Sequence, residues 1–296
     1  MFDIVILSDK RYINPKERNW YINQVLLEDD LLKNQLEIKG LKVTKKSWDD
    51  KNFDWRKTRF AIFRTTWDYF DRFDEFFKWI EETKNKTNFI NSSEIINWNI
   101  DKHYLLELQK KGINIAHTKF IEKNNDITLS QLFDETNWEE AVLKPTISGA
   151  ARHTYRLNKK NYTLKEKLFE ELLNHESMMF QEFLNDIIKS GEISLVMIGG
   201  KYTHAVRKIA KNGDFRVQDD HGGTVERHQA TNKEIIFAEN CIKQCPFNPI
   251  YARVDIVYDN NNNPSLSELE LIEPELWFRN NNDSVKKLVD EILKLL

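Results

Sequence analysis

Apolar positions in the first ninety-odd residues alternate between short unbroken runs and longer stretches with helical spacing. Residues 2–7 (FDIVIL) predict a buried strand opening an α/β unit. Val25, Leu26, Leu31, Leu32, Leu36 and Ile38 form one stripe of a helix over 20–38, which Gly40 ends, and 41–44 predicts a second strand. A third apolar run at 60–63 leads into Arg64-Thr65-Thr66-Trp67-Asp68-Tyr69. An aromatic-rich helix over about 72–83 and a short strand at 88–90 follow. Strand and helix in alternation predict a small, mostly parallel sheet covered by helices, assigned to residues 1–96.

From residue 99 the pattern changes. Asn99 is placed to cap a helix over 100–111, closed by Gly112. Strands are expected at 117–121, 140–144 and 153–157, the last two separated by the small-residue loop Thr146-Ile147-Ser148-Gly149-Ala150-Ala151. A helix at 163–174 and a strand at 177–183 come next. Beyond these, 192–198 and 201–210 pair across Gly199-Gly200. A helix at 231–244, strands at 251–258 and 266–272, and a last helix at 283–295 complete the chain. Mixed strands, helices and hairpins predict α+β architecture here. The division is 97–180, with the lysines and the loop, and 181–296, with the acidic strands.

Composition narrows the function classes. The chain has 296 residues, with 44 basic against 47 acidic side chains interspersed throughout, which disfavours nucleic acid as partner. No run approaches the roughly 18 apolar residues of a membrane span, and the start MFDIVILSDKRY lacks the basic, long-apolar and small-residue parts of a secretory signal. The expectation is a soluble, cytoplasmic protein. Its two cysteines, Cys241 and Cys245, read as reduced thiols. Glycine is scarce at 9 residues, yet seven of them (149, 191, 199, 200, 213, 222 and 223) fall in one window. Glycine is required where backbone turns tightly or approaches a ligand, so that window draws the search for a site.

Arg253 and Asp255, two apart on one strand, share a face; Glu268 and Glu270 do so on its hairpin partner, with Glu273 just beyond. Carboxylates so gathered repel unless a cation or a base neutralises them, and hard oxygen ligands suit Mg²⁺. The plain alternative is a solvated acidic edge. Lys102 opens the predicted helix, where the dipole disfavours a cation unless an anion is near. Lys144 ends a strand just before a loop able to turn backbone N–H groups toward phosphate.

In order and spacing these pieces resemble the ATP-grasp ligases. WNIDKHYLLELQKKG resembles the helix carrying their first nucleotide lysine, VLKPTISGAAR the second lysine with the phosphate-covering loop, and MMFQEFLND the strand joining the halves of the cleft. GEISLVMIGGKYTHAVRKIAKNGDFRVQDDHGG is similar to the stretch of bacterial glutathione synthetases that ends in a glycine pair, and ARVDIVYD with LSELELIEPELW supplies acidic positions like theirs. FRTTWDYF, WNIDK and ELELIEPEL bring it nearest to the glutathione-synthetase-like branch that contains the cyclo-ligase of cycloserine biosynthesis. The resemblance implies an ATP-grasp fold behind an N-terminal parallel-sheet domain, and a cytoplasmic enzyme using ATP and Mg²⁺. It would join a small-molecule carboxylate to an amine through an acyl phosphate, and relatives often associate as homo-oligomers. It further implies Lys102, Lys144, Ser148 and Gly149 at the phosphates. Gln181, Glu182, Phe183 and Leu184 would lie at the adenine, Glu192 at the ribose, and Asp255, Glu268 and Glu270 at the metal. Arg207, Lys208 and Arg216 would contact the transferred phosphate or a substrate carboxylate. Arg64, after its strand, reads as a carboxylate binder with Trp67 and Asp68 as neighbours. Two departures mark the chain as a relative of glutathione synthetases and not one of them: Glu270 stands where they usually have Asn, and Ser194 where they commonly have a basic residue. Two readings stand beside the small-molecule ligase, a ligase or cyclo-ligase acting on a peptide or protein end and a non-catalytic nucleotide-binding module.

Overall fold

The computed structural model describes residues 1–217 and 221–296; Gln218, Asp219 and Asp220, part of the glycine-pair stretch, lie outside the described residues. The first unit is a four-stranded parallel sheet in the order β2-β1-β3-β4, with β1 Phe2–Ser8, β2 Val43–Ser47, β3 Thr58–Thr65 and β4 Asn88–Ile90. Helices α1 (Trp20–Ile38) and α2 (Phe73–Thr83) lie on opposite faces. Alternation along β1 decides what each face meets. Val5 and Leu7 pack with Phe63, Trp48, Trp55 and Phe76, while Ile4 and Ile6 pack with Leu32 and Leu36 of α1 and with Val196, Ile198 and Trp277 from the remainder of the chain. The parallel sheet therefore shares a core with the rest of the molecule.

Two short helices follow, α3 (Ser93–Asn99) and α4 (Tyr104–Lys110). The helix expected over 100–111 thus starts four residues late, at Tyr104, and Asn99, expected to cap it, ends α3 with its side chain bonded to the backbone of Leu269 and Leu271. Asp101 and Lys102 fall in the break, and Asp101 accepts from both the backbone N–H and the ring of His103. The second unit is an antiparallel sheet in the order β5-β8-β6-β7: β5 Thr118–Ile121, β6 Glu140–Pro145, β7 Tyr155–Asn158 and β8 Met178–Glu182. It is backed by α5 (Leu129–Thr136) and α6 (Glu166–Leu173). Strand β7 starts two residues later than expected because Ala150, Ala151 and His153 all have left-handed φ and hold that stretch as a loop.

After the short helix α7 (Asp186–Lys189), the third unit is a five-stranded antiparallel sheet in the order β11-β10-β9-β12-β13. It is built from β9 Glu192–Ile198, β10 Lys201–Ile209, β11 Thr224–His228, β12 Tyr251–Tyr258 and β13 Pro264–Glu270, with α8 (Asn232–Gln244) and α9 (Asn282–Leu293). One face of β9 buries Ile193, Leu195 and Met197 against α4 and α8. The other changes character along its length. At one end Val196, Ile198, Val206 and Tyr251 join the core shared with the parallel sheet; at the other end stand Glu192, Ser194, Lys208 and Asp255. That polar half faces the cleft. No described helix is long and apolar enough to cross a membrane.

Candidate active site

Where the three sheets meet lies a cleft of about 440 Å³. Its walls come from all three units: Trp67, Tyr69 and Phe70 from the first, Lys102, Lys144 and Gly149 from the second, Lys208, Asp255 and Glu268 from the third. Register explains the acidic wall. Arg253 pairs with Glu270 and Asp255 with Glu268 across β12–β13, and Asp255 faces Ser194 and Lys208 faces Glu192 across their own ladders. Side chains at paired positions share a face, so period-two placement converges all of them.

These charges largely satisfy one another. Arg253 donates to Asp255 at 2.8 and 2.9 Å and also touches Glu270. Lys208 bridges Glu192 and Asp255, reaching the latter at 3.2 Å, and the Ser267 hydroxyl donates to the second oxygen of Glu192 at 3.1 Å. Lys102 lies 3.0 Å from Glu268 and donates to the Ser148 carbonyl at 2.7 Å, while its backbone N–H binds the Thr146 carbonyl. The break between α3 and α4 thus ties Lys102 directly to the small-residue loop. Lys144 differs. It stands on the cleft side of β6, where Ala141 and Leu143 point into the core and Val142 and Lys144 do not, and among the described residues its ammonium has no hydrogen-bonding or ion-pair partner.

Burial and partners set the titration of these groups. Desolvation raises Glu270 to about 8 against the opposing pull of Arg253, and raises Glu192 despite Lys208. Burial works upward on Asp255 as well, but Arg253 and Lys208 outweigh it and hold that carboxyl well below the usual range. Glu268 is likewise held down, its burial outweighed by Lys102 and Lys144. Lys144 is lowered, chiefly by desolvation. Among the described residues no three acidic, imidazole or thiol groups form a ready-made metal cage; Asp255 and Glu270 are held by Arg253, and Glu268 by Lys102.

At the far end the cleft is apolar, lined by Val142, Phe183, Leu184, Ile187, Val257 and Leu269. Gln181 donates to Thr118, and Glu182 is held by His117 and Asn260. The Ser148 hydroxyl donates to the Arg152 carbonyl at 3.0 Å and shapes the loop. Gly149 passes so close to the first unit that a Cβ would sit 2.6 Å from the Phe70 ring. At Gly191, φ is +76° and a Cβ would meet the Lys208 carbonyl at 2.3 Å, so only glycine lets β9 begin beside β10.

The cleft gathers Lys102, Lys144, Ser148, Gly149, Gln181, Glu182, Phe183, Leu184, Glu192, Lys208, Arg216, Asp255, Glu268, Glu270 and Trp67. Three expected residues are placed elsewhere. Arg64 is 1% exposed, donating to Glu28 at 2.6 Å and to the Pro274 carbonyl at 2.8 Å, with no route to a substrate carboxylate. Asp68 accepts from the Trp48 indole and Arg72. Arg207 donates to the Ser190 carbonyl at 3.1 Å, and its other amino group lies 3.2 Å from His228 Nδ1, outside the cleft lining. Arg216 does reach the cleft but is engaged by Asp214, whose carboxyl it holds far below the usual range. Sequence reasoning passed over Arg253, noticed only as Asp255's neighbour, and Tyr12, Tyr69 and Trp277; the period-two spacing from Asp255 was the signal for Arg253.

Comparison with known proteins agrees with this architecture. The family described as the D-cycloserine synthetase DcsG N-terminal domain matches residues 4–91, and the prokaryotic glutathione synthetase ATP-grasp domain matches residues 106–259, more than half of the chain. A cycloserine biosynthesis protein, DcsG of Streptomyces lavendulae, is 24% identical over 263 residues, 84% of this chain and 87% of that one. The crystal structure of D-cycloserine synthetase DcsG superposes with a TM-score of 0.85 at 20% identity, covering 98% of both chains. D-alanine–D-alanine ligase from Bacillus anthracis superposes at 0.65 and 15% identity, over 99% of this chain and 97% of that one. With its parallel-sheet unit, two antiparallel sheets and the cleft between them, the chain belongs to the prokaryotic glutathione synthetase ATP-grasp family and is an ATP-dependent ligase.

Proposed function

We propose that this ligase phosphorylates the carboxylate of a small amino-acid-like substrate with Mg·ATP and transfers the acyl group to an amine, releasing ADP and phosphate. The observation that carries the reading is Lys144: a desolvated ammonium with no partner among the described residues, aimed into the same cleft as Glu268 and the loop-bound Lys102. Such a cation is stabilised by an anion, and the α3–α4 break and the loop bring Lys102, Ser148 and Gly149 beside it. On this reading Lys102 and Lys144 hold the phosphates. The apolar end at Val142, Phe183 and Leu184 takes the adenine with Gln181 and Glu182 at its edge, and Glu192 lies toward the ribose. Lys208 and Arg216 meet the transferred phosphate or a carboxylate once released from their acidic partners. The lobes divide at 1–96, 97–180 and 181–296, the first supplying the substrate wall.

The metal is tested by its donor set. Asp255, Glu268 and Glu270 are hard oxygen donors on adjacent strands, Glu268 and Glu270 keeping 31% and 25% side-chain exposure toward the cleft. They fit Mg²⁺, which takes one or two carboxylates and completes its shell with phosphate oxygens and water, better than a metal needing an all-protein cage. Bound there, Mg²⁺ would offset the charge of the triphosphate. The protein's own task is then to orient carboxylate and phosphate, screen their repulsion and exclude water from the acyl phosphate. A cleft of about 440 Å³ that must hold a nucleotide as well leaves room for a small second substrate.

The experiment is ADP release with Mg·ATP and D- and L-amino acids, singly and in pairs, with hydroxylamine added to trap activated carboxyl groups and mass analysis of products. Hydroxamate and ADP in equal amounts support the reading. Tight ATP binding with neither product across the panel would leave a non-catalytic binder.

A further inference from the structure

One carboxylate in the cleft is committed to nothing yet described. Glu273 follows β13, lines the cleft and has no ion-pair partner among the described residues; its hydrogen bond is to the Tyr69 hydroxyl. Around it the first unit contributes aromatic faces, with Tyr12 and Trp67 edge to face at 5.8 Å and Tyr69 against Phe70 at 5.5 Å. The charged groups acting most on Glu273 are Glu268, Lys102 and Arg253, and Arg11, Asp71 and Glu275 line the same cleft. Lys102 and Arg253 are engaged by Glu268, Asp255 and Glu270, and Arg11 by Asp9.

The backbone that carries Glu273 is fixed group by group. Asn91 donates to the Leu271 carbonyl at 2.7 Å, Tyr251 to that of Ile272 at 2.7 Å, the Trp67 indole to that of Glu273 at 3.0 Å and Arg64 to that of Pro274 at 2.8 Å. The Leu276 N–H donates to Glu28 at 2.7 Å. A surface acid needs no such support. A group that must meet a substrate atom does.

Resting on the ligase reading, we propose that Glu273, in the aromatic wall of Tyr12, Trp67 and Tyr69, receives the ammonium group of the amine-bearing substrate and takes a proton from it. An ammonium is not a nucleophile; it must lose one proton before its nitrogen can attack. Transfer to the Glu273 carboxylate leaves a neutral amine whose lone pair forms the C–N bond at the acyl phosphate carbon. The C–O bond to phosphate breaks with its electron pair on the departing phosphate, and the second nitrogen proton leaves to that phosphate or to water. The wall suits the charge of the arriving group, since aromatic faces attract cations. Burial, with the charge of Glu268, raises Glu273 to about 7, against Lys102, Tyr69 and Arg253, which places the base near the working pH.

The test compares two nucleophiles on the same activated carboxylate. Hydroxylamine is uncharged at neutral pH and needs no base; an amino-acid ammonium does. With the substrate pair giving the fastest wild-type turnover, Glu273→Gln is expected to lower amide formation about 100-fold or more, and hydroxamate formation at least tenfold less than that. The amide deficit should shrink as pH rises toward the amine's own pKa, and the acid limb near pH 7 in wild-type kcat/KM for the amine should vanish in the variant. Glu273→Asp should recover part of the rate. Equal loss of both products, or no loss, with an unchanged pH profile overturns the role of Glu273 and leaves the ligase standing. Absence of hydroxamate from the wild-type enzyme across the panel overturns the ligase reading and this inference with it.

Discussion

Replacing Arg64 by Met tests whether the strip after β13 is held by a buried ion pair. Arg64 and Glu28 have side-chain exposures of 1% and 5%, and Glu28 Oε1 accepts from both Arg64 and the Leu276 N–H. Among the described residues Arg64 Nε and Nη1 and Glu28 Oε2 have no hydrogen-bond partner, and the guanidinium lies 5.6 Å from the Tyr251 ring and 5.8 Å from the Phe278 ring. Removing one member of a buried pair costs about 3–5 kcal/mol because the other is left uncompensated. Here the cost has an outlet. Burial raises Glu28 to about 7 although Arg64 pulls the other way, so without Arg64 the carboxyl rises further and protonates. The loss should be about 3 kcal/mol at pH 8 and shrink below that toward pH 6, because each pH unit over which only the folded state holds the extra proton is worth roughly 1.4 kcal/mol. Glu28→Gln keeps an acceptor for Leu276 and should cost less, and R64M/E28Q should lose at least about 1 kcal/mol less than the two single losses summed. Urea or thermal denaturation at pH 6 and pH 8 measures all four proteins. A loss under about 1 kcal/mol at pH 8, or strict additivity, would refute the argument. Because the Pro274 carbonyl also loses its donor, R64M should raise KM for the amine more than for ATP.

Lys144→Met should weaken ATP binding about 10–100-fold, the worth of a hydrogen bond to a charged group, yet leave Tm unchanged or higher, since the ammonium is desolvated and unpaired; calorimetry and thermal melts read the two effects, and an unchanged Kd would remove Lys144 from the nucleotide site. For the protein without nucleotide, stability should fall as pH rises from 6.5 to 8. Glu28 and Glu273, raised to about 7, and Glu270, raised to about 8, hold protons in the folded state that the unfolded chain has already released, so their contribution is complete below the ordinary carboxylate range and is lost as pH passes those values. His204, lowered by burial to about 4, opposes the trend only slightly and only near pH 6.5, where the unfolded histidine still holds part of a proton. The summed effect is on the order of 2 kcal/mol, and a Tm that rises between pH 6.5 and 8 would contradict it.

How much of this could be read from the chain depended on how local the cause was. Strands 192–198 and 251–258 and helix α1 matched expectation residue for residue, because local turn and cap residues bound each: Gly191 and Gly199 the first strand, the 259–263 loop the end of the second, Asn19 and Gly40 the helix. The acidic hairpin was legible for a local reason too: a period of two fixes which residues share a face before any partner is known. Lys102 was placed correctly in sequence and wrongly in structure. Nothing local marks 100–103 as lying outside the helix; there the Lys102 N–H bonds Thr146, more than forty residues on, and the helix begins only at Tyr104. Arg64 misled for a related reason. An arginine after a parallel strand looks exposed to a ligand, and only Glu28, 36 positions away, and the Pro274 carbonyl show it to be buried support. Strand β11 and helices α3, α5 and α7 went unforeseen; three of them (α3, α7 and β11) are short, and β11 has a largely exposed, polar pattern of the kind a sheet edge permits.

The pairing within the cleft bears on how ligands would enter it. Glu192, Lys208, Asp255, Arg253 and Glu270 form a chain of alternating sign, and Lys102 with Glu268 forms a second, shorter one. Neutralising one another lets so many charges remain partly buried without ligand. A triphosphate arriving alone would have to draw cations from their carboxylates and leave those bare; a divalent cation arriving alone would strand the bases in the same way. Arriving together they exchange partners, phosphate oxygens taking the lysines while the metal takes the acids, and no buried charge is left unmatched. On the proposed reading, Mg²⁺ and ATP should therefore bind with strong positive coupling, each tightening the other by the same factor. Lys144, already unpaired, is the point at which a nucleotide can engage before that exchange begins. Equal ATP affinity with and without Mg²⁺ would mean that the ion-pair chains are not displaced by substrate at all.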